Sequence, residues 1–93
     1  MLVLLELQDG ERYRRIRAVH RASNVSPLRY TESRLKSRGK DFLMLNPTDM
    51  DAAQRTRLLE SCNGGNRKYL VDIHGGVLVT PEEAEAGTEE VYE

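Results

Sequence analysis

The apolar residues of this chain come in short runs, each closed by a turn or helix-start signal. Residues 2–7, 40–45, 69–73 and 77–79 hold most of its branched aliphatics, and none reaches the length of an ordinary helix. Runs of this length, punctuated by Asp9-Gly10, Asn46-Pro47 and Gly75-Gly76, read as strands. The chain must therefore build its core from a sheet.

The first run, residues 2–7, ends in Gln8-Asp9-Gly10-Glu11, a hairpin signal because Gly10 can take a positive φ at no steric cost. The partner strand is expected over residues 12–22. A loop of residues 8–10 sets Glu6 opposite Arg12 and Leu5 opposite Tyr13; a loop one residue later pairs Glu6 with Arg14 and Leu4 with Ile16. Both registers stay open. Tyr13, Ile16, Val19 and Ala22 also recur every third residue, a spacing that suits one side of a helix. Strand is favoured, because Gly10-Glu11 supplies a turn where a helix would need a start.

Three segments carry helix signals. Ser26-Pro27 offers a capping hydroxyl and a proline in the first turn, Leu28, Thr31 and Leu35 share a face, and Gly39 can take a left-handed cap, which predicts a helix over 27–38. Thr48-Asp49-Met50-Asp51 resembles a capping box, and a helix to about residue 61 follows. Ala52, Thr56, Leu58, Leu59 and Cys62 form its apolar stripe, opposed by Gln54, Arg57, Glu60 and Ser61. Thr80-Pro81-Glu82-Glu83 is the strongest local signal, with a capping Thr, Pro at the first helical position and Glu two residues on to return the bond; Gly87 can end that helix. Between the last two strands, a two-residue Gly75-Gly76 turn would set His74 opposite Val77 and Ile73 opposite Leu78. The expected order is β-β-α-β-α-β-β-α, an α+β domain over residues 1–87 with a mainly antiparallel sheet of about five strands and helices packed on one face. Residues 88–93 are expected to form an acidic, mobile tail.

Composition narrows the class further. With 93 residues, 39% hydrophobic and 5% aromatic, the chain supports one modest core. Its single Cys62 excludes an internal disulfide framework and fits a reducing compartment, so cytoplasm is the expected location, or the host cytoplasm or virion if the chain is phage-encoded, a common source of accessory proteins this small. Glu6 and Asp9 interrupt the apolar opening before it could make a signal sequence or a membrane span, so no membrane partner is expected.

No arrangement of residues points to an enzyme, a metal or a cofactor. His74-Gly75-Gly76 resembles an oxyanion loop, but the Gly-x-Ser-x-Gly nucleophile turn is missing. Cys62 and His74 could form a thiol–base pair, yet Cys62 falls at a helix C-terminus, where the dipole disfavours a thiolate. His20, Cys62, Asp72 and His74 lack metal-ligand spacing. Asp49 and Asp51, and Glu82, Glu83 and Glu85, sit where first-turn acids complement a helix dipole. Gly64-Gly65 follows a helix rather than preceding one and lacks the Walker lysine spacing, which makes a weak phosphate-cradling loop, and no small-molecule substrate suggests itself.

Charge is what remains. Residues 11–40 hold ten of the fourteen Lys and Arg against only Glu11 and Glu32, whereas residues 81–93 hold six Glu and no base, so the net charge of -1 conceals two opposed regions. A protective basic edge on the sheet is the plainest reading, though ordinary surfaces mix both signs. The expected binding residues are Arg12, Tyr13, Arg14, Arg15, Arg17, Arg21, Tyr30, Arg34 and Arg38. They suit a non-enzymatic protein-interaction module, either a regulator, inhibitor or assembly subunit, engaging a protein partner or a second copy. The alternative is nucleic-acid binding, with arginines on phosphate and a tyrosine stacked on an unpaired base. If residues 12–22 are a strand, alternation sends Arg12 and Arg14 to one side and Arg15, Arg17 and Arg21 to the other.

Overall fold

The structure, a computed structural model, describes residues 1–65 and 68–90. Its elements are β1 (Leu2–Leu7), β2 (Tyr13–Ala22), α1 (Val25–Ser37), β3 (Asp41–Leu45), α2 (Ala52–Glu60), β4 (Leu70–Asp72), β5 (Val77–Val79) and α3 (Pro81–Glu90). A 3-10 turn, Pro47–Asp49, precedes α2, and a wide turn, Ser61–Gly65, follows it. The chain is a small α+β domain with the expected element order. Its five strands form one antiparallel sheet in the order β3-β1-β2-β4-β5.

β1 lies between β3 and β2 and is apolar on both faces. Val3, Leu5 and Leu7 enter a core with Ile16, Leu58, Tyr69, Val71 and Leu78, while Leu4 packs on the opposite side against Leu28 and Leu35 of α1. The helices therefore divide between the faces instead of packing on one. A strand with leucines at both parities cannot leave either face in water, and an all-round apolar strand needs cover on both sides. α2 covers the first face through Leu58, and α1 covers the second. α3 docks beside β4 and β5 with Ala84 buried, and its Gly87 lies against the Tyr13 hydroxyl. Gly87 thus does not end the helix, which runs on through Glu90; it admits a neighbour that a methyl group would strike. Of the expected tail, residues 91–93 lie outside the described residues.

Neither expected register forms in the first hairpin. Glu6 faces Ala18 and Leu7 faces Ile16, with Arg17 as the extra residue of a β-bulge. The hairpin end is wide because Tyr13, Arg14 and Arg15 turn to the other neighbour, pairing with Asp72, Val71 and Leu70 of β4. The bulge also explains the three-residue spacing in the sequence: Ile16 and Val19 both pack into the first core, which odd spacing on a regular strand would forbid. The β4–β5 turn is longer than expected too. Asp72 faces Val77 and Val71 faces Leu78, leaving residues 73–76 as the loop. Asp72 organises it, since its carboxylate accepts the His74 N–H at 3.0 Å and its carbonyl accepts the Gly76 N–H at 2.8 Å, with Gly76 at φ 65°.

Local signals place some helix ends and miss others, since Thr48 does not cap α2 and Gly87 does not end α3. α1 starts two residues early because Asn24, not Ser26, is the cap, its Oδ1 accepting the Ser26 N–H at 3.1 Å. It ends as the glycine predicts: Gly39 has φ 66°, and the Lys40 and Gly39 N–H groups bond the Leu35 and Lys36 carbonyls. Asp51 caps α2 through the Gln54 N–H at 2.8 Å. In α3 the capping box closes both ways, Thr80 N–H to Glu83 at 2.8 Å and Glu83 N–H to Thr80 Oγ1 at 3.1 Å.

Glu83 also receives the Arg57 guanidinium from α2 at 2.5 Å. That contact first, and the Thr80 N–H second, hold its carboxyl down at about 2, against an ordinary value of 4.5. Because the folded value is the lower one, the stabilisation is complete above about pH 4.5 and is lost as pH falls towards about 2. The side chain is 49% exposed, so solvent screening limits the effect to about 1 kcal/mol. Glu83→Gln is expected to flatten the acid limb of a stability-versus-pH curve over that window, read by thermal melting; an unaltered limb would show that the pair contributes nothing.

The polar side of α2 is not simply a solvated face. The Gln54 side-chain amide bonds both backbone groups of Leu78, donating to its carbonyl at 2.9 Å and accepting its N–H at 2.7 Å. Gln54 thereby imitates the next strand along the outer edge of β5, and Arg57 adds a 3.0 Å bond to the same carbonyl. Gln54→Ala should cost about 1–2 kcal/mol in urea unfolding, because it leaves the Leu78 N–H without this partner. A change of a few tenths would mean that water replaces the amide without loss.

Candidate interaction surfaces

The basic residues of β2 divide by what they touch. Arg12 lays its fork on Asp72, Nε to Oδ1 at 3.1 Å and Nη2 to Oδ2 at 3.0 Å, and its guanidinium sits 4.9 Å from the centre of the Tyr13 ring. Asp72 is only 7% exposed, and the Arg12 hydrogen bond is the main cause holding its carboxyl below the ordinary range. Arg14 donates Nε to the Glu11 carbonyl at 2.9 Å and pairs through Nη1 with Asp41, at the start of β3. These two arginines lock the hairpin to β4 and β3, and Tyr13 stands between Arg12 and Gly87 of α3. Their charge is balanced within the fold.

Arg15, Arg17 and Arg21 are exposed, and no acid among the described residues forms an ion pair with them. Their placement departs from simple alternation. Arg14 lies opposite Val71 and Arg21 opposite Val3, both in the first core, so these two share a face, whereas Arg15, opposite Leu70, is on the other. The residue added at the bulge reverses the alternation between Arg15 and Arg21. Arg21 also lies near enough to Cys62 to oppose electrostatically the burial that pushes that thiol up, so Cys62 is a packed, poorly ionised side chain.

The structure brings Arg15 and Arg17 together at an open pocket of about 670 Å³. β4 pairs with β2 only as far as Arg15, and where the two strands part, Ile16, Tyr69 and Leu70 line the floor beside Gln8 and Pro81. A second basic surface lies on α1. Tyr30 and Arg34 follow one another at four-residue spacing along one flank of the helix, and Arg38 is its C-terminal cap. Tyr30 is 69% exposed, with the Arg34 guanidinium 5.8 Å from its ring centre. Arg29 lies on the opposite flank, as does Lys36, which pairs with Glu32 at 3.3 Å. On α3, Glu82 and Glu85 are exposed, while Glu83 is held by Arg57.

Sequence reasoning named the arginines but not the acids that sort them. Asp41 and Asp72 each stand at one end of a short apolar strand, and a lone carboxylate in that position is the signal that could have marked them as internal partners. Gln54, Arg57 and Glu60 were assigned to the solvated side of α2, yet the first two clamp β5, and Glu60 bonds Lys68 at 2.6 Å and the Tyr69 hydroxyl at 3.3 Å. His74 belongs to the β4–β5 loop, whereas Cys62 packs against the first core, so they occupy different parts of the fold. No described helix is long and apolar enough to cross a membrane. Comparison with protein-family models, curated proteins and solved structures gives no match to this chain.

Proposed function

We propose that this chain is a small non-enzymatic protein-interaction module that engages an acidic partner through the exposed arginines of β2, Arg15 and Arg17 at one site and Arg21 on the opposite face of the sheet. One observation carries the reading: these three arginines stay exposed with no acid paired to them among the described residues, while Arg12 and Arg14 beside them are neutralised by Asp72 and Asp41. Arginine suits the role because its planar fork pairs with carboxylates and its stem covers apolar surface. Exposed Glu82 and Glu85 on α3 supply the opposite charge, which makes a second copy of the chain one form such a partner could take.

The test is a titration with poly-glutamate at two salt concentrations, beside sedimentation to read the oligomeric state. Affinity should fall steeply with salt, and the Arg15→Ala/Arg17→Ala/Arg21→Ala variant should lose about tenfold or more, since each lost charge-assisted contact weakens binding. Equal affinity of the variant would remove these residues from the interface.

A nucleic-acid reading rests on a different observation, the exposed Tyr30 ring with Arg34 against it, a platform on which an unpaired base could stack. It requires single-stranded DNA or RNA to bind in preference to poly-glutamate, and Tyr30→Ala to abolish that preference.

A further inference from the structure

The gap between β2 and β4 is more specific than a charged surface needs to be. Arg15 and Arg17 stand at its rim with Gln8 and with Pro81, the first residue of α3, and its floor is made of Ile16, Tyr69 and Leu70. Both arginines are exposed, whereas Ile16 and Tyr69 are held in the first core. A bare polyanion would use the rim and leave the floor wet. An apolar side chain between two carboxylates would use both, because burying it in the pocket removes apolar surface from water while the arginines take the charge on either side.

We propose that this pocket is the recognition site for an acidic peptide segment of a partner protein, with one apolar side chain on the Ile16, Tyr69 and Leu70 floor and flanking carboxylates on Arg15 and Arg17. The proposal rests on the protein-binding reading above and adds the sequence character of the partner. The site arises from the bulge, since the residue inserted at Arg17 comes where β4 leaves β2, and that divergence opens the floor.

Three short peptides of equal length separate the terms: glutamates with a central leucine, glutamates alone, and glutamines with the same leucine. Binding to the full chain is followed by amide chemical shifts. The glutamate–leucine peptide should bind about tenfold or more tightly than either other peptide, with shifts at Gln8, Arg17, Tyr69 and Leu70. Arg17→Ala, at an exposed position, should weaken it about fivefold or more, and Leu70→Ala should erase its advantage over all-glutamate. If the two acidic peptides bind equally and both lose affinity in Arg17→Ala, the pocket is overturned while the electrostatic reading survives. If neither binds, both fall. Displacement of the peptides by a single-stranded oligonucleotide, with shifts centred on Tyr30 and Arg34, would also overturn the pocket and favour the nucleic-acid reading.

Discussion

Leu4→Ala and Leu5→Ala are each expected to destabilise the domain by about 3–4 kcal/mol, although the two residues are neighbours on one strand. Both are fully buried, Leu4 against Leu28 and Leu35, Leu5 in the core that holds Leu58 and Val71. In a sheet covered on one side only, adjacent positions would alternate between costly and neutral. Here the two midpoints in urea should fall together, each substitution removing about 3–4 of the roughly 5–14 kcal/mol available to a chain of this size. Double variants assign the faces: Leu4 with Leu28 should be non-additive because the pair shares a contact, whereas Leu4 with Leu58 should be close to additive across the sheet. A nearly neutral Leu4→Ala would mean that α1 does not pack on the second face.

The same strand shows what could be read from the sequence. Leu2–Leu7 is a nearly continuous apolar run, the signature of a strand buried on both faces, and the two-sided arrangement of the helices is the physical consequence of that run. The start of α3 and the end of α1 were legible because a cap acts within a few residues of itself, as in the closed Thr80–Glu83 box and the left-handed Gly39, whereas the caps at Asn24 and Asp51 and the run of α3 past Gly87 were not. Registers were not, because they depend on which neighbour takes Tyr13, Arg14 and Arg15, and that competition between β1 and β4 is settled by partners some sixty residues away, as with Arg12 and Asp72. The spacing of Ile16 and Val19 was a visible trace of the bulge, ambiguous alone because a three-residue period also suits a helix. For the basic surface, sequence order showed an excess of charge and nothing of its cancellation: Arg12 and Arg14 are indistinguishable from Arg15 and Arg17 until Asp72 and Asp41 are placed beside them.

Asp72→Ala should therefore act on both stability and binding. Its nearly buried carboxylate takes Arg12 Nε, Arg12 Nη2 and the His74 N–H, so the substitution removes both bonds to the Arg12 fork and unties the β4–β5 loop, at a cost of about 2–4 kcal/mol. Arg12→Ala made in the Asp72→Ala background should cost clearly less than in the parent, since the partner is already gone, and Asp72→Asn, which keeps the shape and one acceptor oxygen, should fall between. Acid should mimic the substitution. The folded carboxyl titrates below its ordinary 3.8, so the stabilisation present above that pH is lost as pH falls past it. Binding then separates the two roles of charge in this chain. Removing the Asp72 carboxylate leaves the surface with one negative charge fewer, so a purely electrostatic interface should hold poly-glutamate as well as before or better. A pocket whose floor is carried by β4 should instead lose its preference for the leucine-bearing peptide, because Leu70 is held in place by the short pairing that Asp72 closes. Opposite signs from one substitution would show that Arg12 and Arg17, five residues apart on the same hairpin, serve different ends: the first holds the wall in place and the second meets the ligand beside it.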